Sequence, residues 1–241
     1  MAGPAFDETA HDYDEIHQKL VKSSGFPVRY LNEQKARELH RALSGHSAFP
    51  LPAPAILDYG CGVGNIDPFL RKYFPGSRIC AVDVSEESIA IAKSKHEAFD
   101  ISYAVIDAAG NDLPFGDSFD LVLACGVLHH IPREGLPQAF SRIKAHLKPG
   151  GLLFIFEHNP YHPAIQWMFK NQEIKYDPRA AMLKPRYLRE QLAKAGYIPA
   201  RARYALFFPR FLSALLPLEK HMTGIPLGAQ YYVTAENAKI Q

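Results

Sequence analysis

Among its 241 residues the chain has three cysteines and one tryptophan, and its 27 basic side chains are nearly balanced by 25 acidic ones. Cys61, Cys80 and Cys125 are odd in number and show no Cys-x-x-Cys spacing, which leaves them as reduced, small core residues of a cytosolic protein. The net charge is +2 and no long basic run appears, so nothing electrostatic points to nucleic acid. No apolar run reaches membrane-spanning length. The most apolar tract, 205–218, is interrupted by Pro209, Arg210 and Pro217 and is too short to span; its leucines and phenylalanines at helical spacing read as core or a dimer face, or as contact with a membrane surface or a greasy substrate. The N-terminus has neither the basic cap nor the apolar core of a signal peptide, which makes a cytoplasmic location the expectation. Internal repeats and low-complexity segments are absent as well. What is present is the composition of a globular protein, 47% hydrophobic and 22% charged, with length enough for one large domain.

Residues 55–64 carry the clearest signal. An apolar strand ends in Asp58 and runs into the alternating glycines Gly60, Gly62 and Gly64, which permit positive φ and put no Cβ between the main chain and a flat ligand. A dinucleotide fingerprint would need its third glycine at position 65, where this chain has Asn65. A carboxylate beside the turn would repel a diphosphate but attract an ammonium or sulfonium. A second apolar strand, 79–83, ends in Asp83, placed to accept hydrogen bonds from both hydroxyls of a ribose. A nucleoside carrying positive charge fits both acids.

Periodicity predicts two helices within residues 7–44, separated by a break at 23–27 and forming a lid (1–48) ahead of a core domain (49–241). Strands are expected at 55–60, 78–83, 101–106, 119–125 and 151–157, with helices near 65–74, 86–97 and 135–147. This alternation implies an α/β, doubly wound parallel sheet with helices on both faces and ligands beyond the carboxyl ends of its strands. Further on, helices are expected at 161–170 and 185–195, strands at 197–206 and 229–235, and between those strands an insertion, 207–228, longer than a hairpin requires.

Taken in order, Leu57-Asp58-Tyr59-Gly60-Cys61-Gly62-Val63-Gly64, Asp83-Val84-Ser85, Val105-Ile106-Asp107-Ala108 with Leu113-Pro114-Phe115, Phe119 to Ile131, and Leu147-Lys148-Pro149-Gly150-Gly151 resemble the motifs of the class I S-adenosylmethionine-dependent methyltransferases over roughly residues 50–157. The resemblance implies a Rossmann-like sheet whose last strand is antiparallel, and S-adenosyl-L-methionine as cofactor, leaving as S-adenosyl-L-homocysteine. It implies Asp58 near the methionine amino group, Gly60 and Gly62 as close-approach backbone, Asp83 on the ribose and Asp107 with Ala108 at the adenine. Cys61, Val84 and Cys125 join this cofactor-binding set. Tyr13, in an element resembling one that closes over the cofactor, either covers the sulfonium by cation–π attraction or packs a helix.

Methyl transfer from a sulfonium needs alignment of the acceptor, exclusion of water and, for a hydroxyl, removal of a proton. His129 and His130 follow the fourth strand, where an imidazole serves as base, packs structurally or contacts cofactor. Glu157, His158, Asn159, Tyr161 and His162 follow the fifth strand and form the best acceptor-site candidate. Its prolines make this a loop, and no metal is expected there. The leading expectation is O-methylation of a small molecule, hydrophobic or lipid-linked, by a monomer or homodimer. C-methylation of a quinone-like or isoprenoid acceptor and a non-catalytic cofactor-binding scaffold are the alternatives. Methylation of base or glutamine amines is disfavoured, because the Asn-Pro-Pro-aromatic motif is replaced by Cys125-Gly126-Val127-Leu128.

Overall fold

The structure is a computed structural model that describes residues 7, 10–44, 53–107, 113–116, 118–170 and 181–238. Its strands are β1 (Ala55–Tyr59), β2 (Arg78–Asp83), β3 (Ile101–Val105), β4 (Phe119–Cys125), β5 (Leu147–His158), β6 (Tyr197–Pro199), β7 (Arg203–Ala205) and β8 (Gln230–Asn237). They form one sheet in the order β3-β2-β1-β4-β5-β8-β6, with β7 also on β8. The first five are mutually parallel, and β8 runs antiparallel to β5, β6 and β7.

The side-chain period of two sorts each strand between the sheet's faces. Leu57, Val82, Val122 and Leu153 join one core cluster, while Ile56, Ile79, Leu121 and Phe154 or their neighbours fill the other. Before the sheet come α1 (Tyr13–Val21) and α2 (Val28–Ser44), separated by a turn whose Gly25 has φ +73. In α2, Ala36, Leu39 and Leu43 recur at helical spacing and pack into the same cluster as Ile56 and Phe154. The crossover helices are α3 (Asp67–Tyr73), α4 (Glu86–Lys95) and α5 (Leu136–His146). Ser85 caps α4, its Oγ accepting the Ser88 N–H at 3.0 Å, with Glu86 and Glu87 in the first turn.

Three features differ from the sequence expectation. β5 begins at Leu147 rather than 151, because Leu147 pairs with Phe119 and its carbonyl accepts the Asn237 amide at 2.6 Å. The strand expected at 197–206 is divided into β6 and β7, both on β8. Residues 210–218, whose leucines recur at helical spacing, form a kinked 3₁₀ segment, with Leu212 outside helical dihedrals and Pro217 unable to donate an N–H. After β5 come α6 (Pro163–Lys170) and α7 (Pro185–Lys194), and α8 (Glu219–Met222) follows the 3₁₀ segment.

Candidate functional site

The site lies beyond the carboxyl ends of β1, β2, β4 and β5. The glycine turn is held from β2: the N–H groups of Gly60 and Cys61 donate to the Val82 carbonyl at 2.8 and 3.0 Å, and that of Gly62 donates to Asp83 Oδ2 at 2.8 Å. Asp83 Oδ1 accepts the Ser85 N–H at 3.0 Å. With the Val84 N–H as a third donor, a carboxylate's four lone-pair directions still leave room for another. Burial raises the Asp83 pKa, opposed by these amides. Gly60 has φ +79, and a Cβ there would lie 2.2 Å from Val127 Cγ2, so this position must be glycine for the loop after β4 to pack on the turn.

Asp58 is 1% exposed, and neither of its oxygens accepts a hydrogen bond from a donor among the described residues. Burial, with the nearby charges of Asp67 and Asp83, pushes its pKa well above the carboxylate range. Asp67, in the first turn of α3, is buried beside Gly64 and is itself pushed up to about 6 by burial. A buried acid cluster of this kind, short of donors, is poised for a cation.

Asp58, Gly60, Cys61 and Cys125 form one end of a cavity of about 360 Å³. His129, His130, His158 and His162 line it too, with Phe207 and Phe208 from the insertion and Ile165 and Met168 from α6. Burial raises the pKa of both thiols, so Cys61 and Cys125 present neutral S–H groups.

Glu157 is buried, and both of its oxygens are engaged: Oε1 accepts the Leu128 N–H at 2.9 Å and Oε2 meets His129 Nδ1 at 2.7 Å. Facing a carboxylate, Nδ1 is the donor, which leaves Nε2 as the accepting nitrogen of His129. The rings of His130 and His158 lie 4.1 and 5.3 Å from that of His129. Burial lowers the His158 pKa well below that of a free imidazole, and nearby His129 and Lys35 add to the effect. Asn159 does not face the cavity contents. Its amide donates to the carbonyls of Gly228 and Pro226 at 2.7 and 3.1 Å and its oxygen accepts the Tyr161 N–H, tying the loop after β5 to the end of the insertion.

Of the residues singled out from sequence, the two histidine-bearing loops and the Asp58 turn converge on this cavity. Asp83 and Val84 sit at the tip of β2 outside its wall, and Asp107 is exposed after β3. Ala108 lies outside the described residues, as does the side chain of Tyr13, the first residue of α1. Sequence reading missed Asp67 and Lys35. Lys35 lines the cavity from α2 and acts electrostatically on Asp58, Cys125 and His158. The signal for Asp67 was its place just past the last glycine, and for Lys35 a charge adjoining the buried face Leu31, Ala36, Leu39. Among the described residues no group of three or more His, Cys, Asp or Glu side chains is placed to hold a metal ion.

Residues 56–151 match the family model described as a methyltransferase domain. The chain is 30% identical to a demethylmenaquinone methyltransferase of Chlorobaculum tepidum over 63% of its length and 57% of the relative's. It is 31% identical to a ubiquinone biosynthesis O-methyltransferase of Nitrobacter winogradskyi over 52% of its length and 46% of the relative's. The chain therefore spans about half the length of these curated relatives. In fold it is similar to magnesium protoporphyrin IX methyltransferase from Synechocystis PCC 6803 with bound SAH, at a TM-score of 0.60 and 18% identity, covering 91% of this chain and 86% of that one. With the strand order and the glycine turn already seen, the match identifies residues 56–151 as a methyltransferase domain.

Proposed function

We propose that the protein transfers a methyl group from S-adenosyl-L-methionine to an oxygen of a small, hydrophobic acceptor held in the cavity. The observation that carries the reaction type is the buried His129–Glu157 pair on the cavity wall. When bound, the cofactor supplies a methyl group already activated for displacement. The rest of the chemistry belongs to the chain's own residues. The buried Asp58 carboxyl, paired with a second acid in Asp67, suits the cofactor's ammonium, and Asp83, with lone-pair capacity beyond its backbone amides, suits the ribose hydroxyls. Asp107 is assigned to the adenine side. Helices α1 and α2 cover the cavity, through His17 and Val21 of the first and Leu31, Asn32 and Lys35 of the second, and exclude water.

His129 takes the acceptor's hydroxyl proton at Nε2. Glu157 stabilises the resulting imidazolium and fixes the ring, a positioning role rather than direct contact with the acceptor. His158, kept neutral by burial, sits beside the pair without adding charge. The same base can deprotonate a phenol for attack through its ring carbon, and the relative from Chlorobaculum tepidum favours that second reading for a quinol acceptor.

The test supplies labelled cofactor with phenolic and quinol acceptors and reads the site of the label by carbon NMR. A methyl on oxygen supports the proposal, and a methyl on carbon replaces it with the second reading. Saturable cofactor binding without transfer to any acceptor would favour a scaffold role. His129→Gln should lower turnover by roughly 10²- to 10⁴-fold with cofactor affinity unchanged. Glu157→Gln should retain part of that activity, because the amide oxygen can still accept from Nδ1 and orient the ring.

A further inference from the structure

The insertion leaves an apolar surface that the fold itself does not cover. No residue of the 3₁₀ segment Arg210–Leu218 is buried. Phe211, Leu212, Leu215 and Leu218 are exposed, Phe211 by 83%, as are Ile225 and Leu227 later in the insertion. Six large apolar side chains exposed between residues 211 and 227 mark an interaction surface.

Polar contacts hold the segment in this orientation. Glu219 Oε1 accepts the N–H groups of Phe207 and Phe208 at 2.9 and 3.0 Å, and the Tyr204 N–H donates to the Thr223 carbonyl at 2.8 Å. Turning Glu219 inward has an electrostatic result. Between residues 200 and 228 it is the sole acid, and it is buried, whereas Arg201, Arg203, Arg210 and Lys220 are exposed. The patch therefore combines protruding apolar side chains with basic flanks and no exposed carboxylate of its own.

That charge pattern distinguishes the occupants. In a two-fold dimer the same patch would face itself and set its cations against their copies. An anionic lipid surface pairs with the cations and takes up the apolar side chains. The patch is also continuous with the cavity. Phe207, Phe208 and Pro209, which line the cavity, lead directly into Arg210, and Ser24 borders both the cavity and the shallow groove beside Arg210 and Phe211.

We propose that residues 210–227 dock the protein on an anionic bilayer, with the cavity mouth beside the membrane, so that a lipid-soluble acceptor enters from the bilayer. The statement about the acceptor rests on the reading of the cavity given above; the docking surface does not. The test is co-sedimentation of the full chain with vesicles of phosphatidylcholine and phosphatidylglycerol at about three to one, against phosphatidylcholine alone. Binding to the mixed vesicles is expected, weakened about tenfold without the anionic lipid or in high salt. The double variant Phe211→Glu, Leu218→Glu should lose binding by roughly tenfold or more while keeping the parent's melting temperature and cofactor affinity. Wild-type protein that ignores the mixed vesicles, or a double variant that binds them as well as the parent, overturns the docking surface. So does a wild-type dimer in sedimentation that the double variant splits into monomers, because the patch would then face a second copy. These failures leave cofactor binding intact, whereas a wild-type protein that binds vesicles but no cofactor overturns the functional reading instead.

Discussion

At the residue scale, the informative side chain is Asp58, which the fold buries without a donor beside Asp67 and Asp83. A buried carboxyl set against a second acid is costly, so the apo protein stores instability at this cluster. The expected outcome for Asp58→Asn is a gain in apo thermal stability at neutral pH together with a loss of cofactor affinity of roughly 1.5–3 kcal/mol, the range for a hydrogen bond to a charged group. Melting curves and calorimetry check the two halves, and a variant that loses stability without losing affinity would make Asp58 a structural acid. Asp58 was legible because it stands against the glycines. Asp67 was not, because an acid in the first turn of a helix is ordinarily an exposed partner of the helix dipole, and only the fold shows this one turned inward.

At the scale of elements, the glycine turn depends on the neighbours β2 and the loop after β4. Asp83 was legible as an acid at a strand tip, but its bond to the Gly62 N–H joins β2 to the glycine turn, and no local pattern encodes it. Asp83→Ala should therefore lose about 1–3 kcal/mol of fold stability in addition to its loss of cofactor affinity. Denaturant unfolding of the apo variant would detect this, and unchanged stability would leave Asp83 to the ligand alone. The five parallel strands could be read because each is a near-continuous apolar run between turn signals. The insertion could not, because Pro209 and Pro217 frame leucines at helical spacing, and periodicity alone predicts a packed helix where the fold builds an exposed 3₁₀ segment. The approach of Gly60 to Val127 is equally invisible in sequence. Gly60→Ala should unfold or severely destabilise the domain, and Val127→Ala should recover only part of the loss, since the new Cβ would still lie 2.8 Å from Val127 Cβ and φ stays at +79.

At the scale of the whole molecule, the site imposes two opposing pH dependences on stability. Asp58 and Asp67 have raised pKa values, so between the usual 3.8 and about 6 for Asp67 the folded state holds more protons than the unfolded one, and stability falls as pH rises. His158 has a lowered pKa, so below 6.5 the unfolded state holds more protons, and stability falls as pH drops towards the folded value. The stabilisation from Asp58→Asn should therefore be small near pH 4 and grow towards neutrality, whereas that from His158→Gln should appear below pH 6.5 and vanish above it. Cofactor binding couples to the first effect. A bound ammonium favours the ionised acids, so binding near pH 6 should release protons, and the release should diminish as pH rises and the acids are already ionised. Calorimetry in two buffers of different ionisation enthalpy measures the number released. Buffer-independent heats at pH 6, with normal affinity, would mean that the cofactor's charge is met elsewhere and that the Asp58–Asp67 cluster serves the fold rather than the reaction.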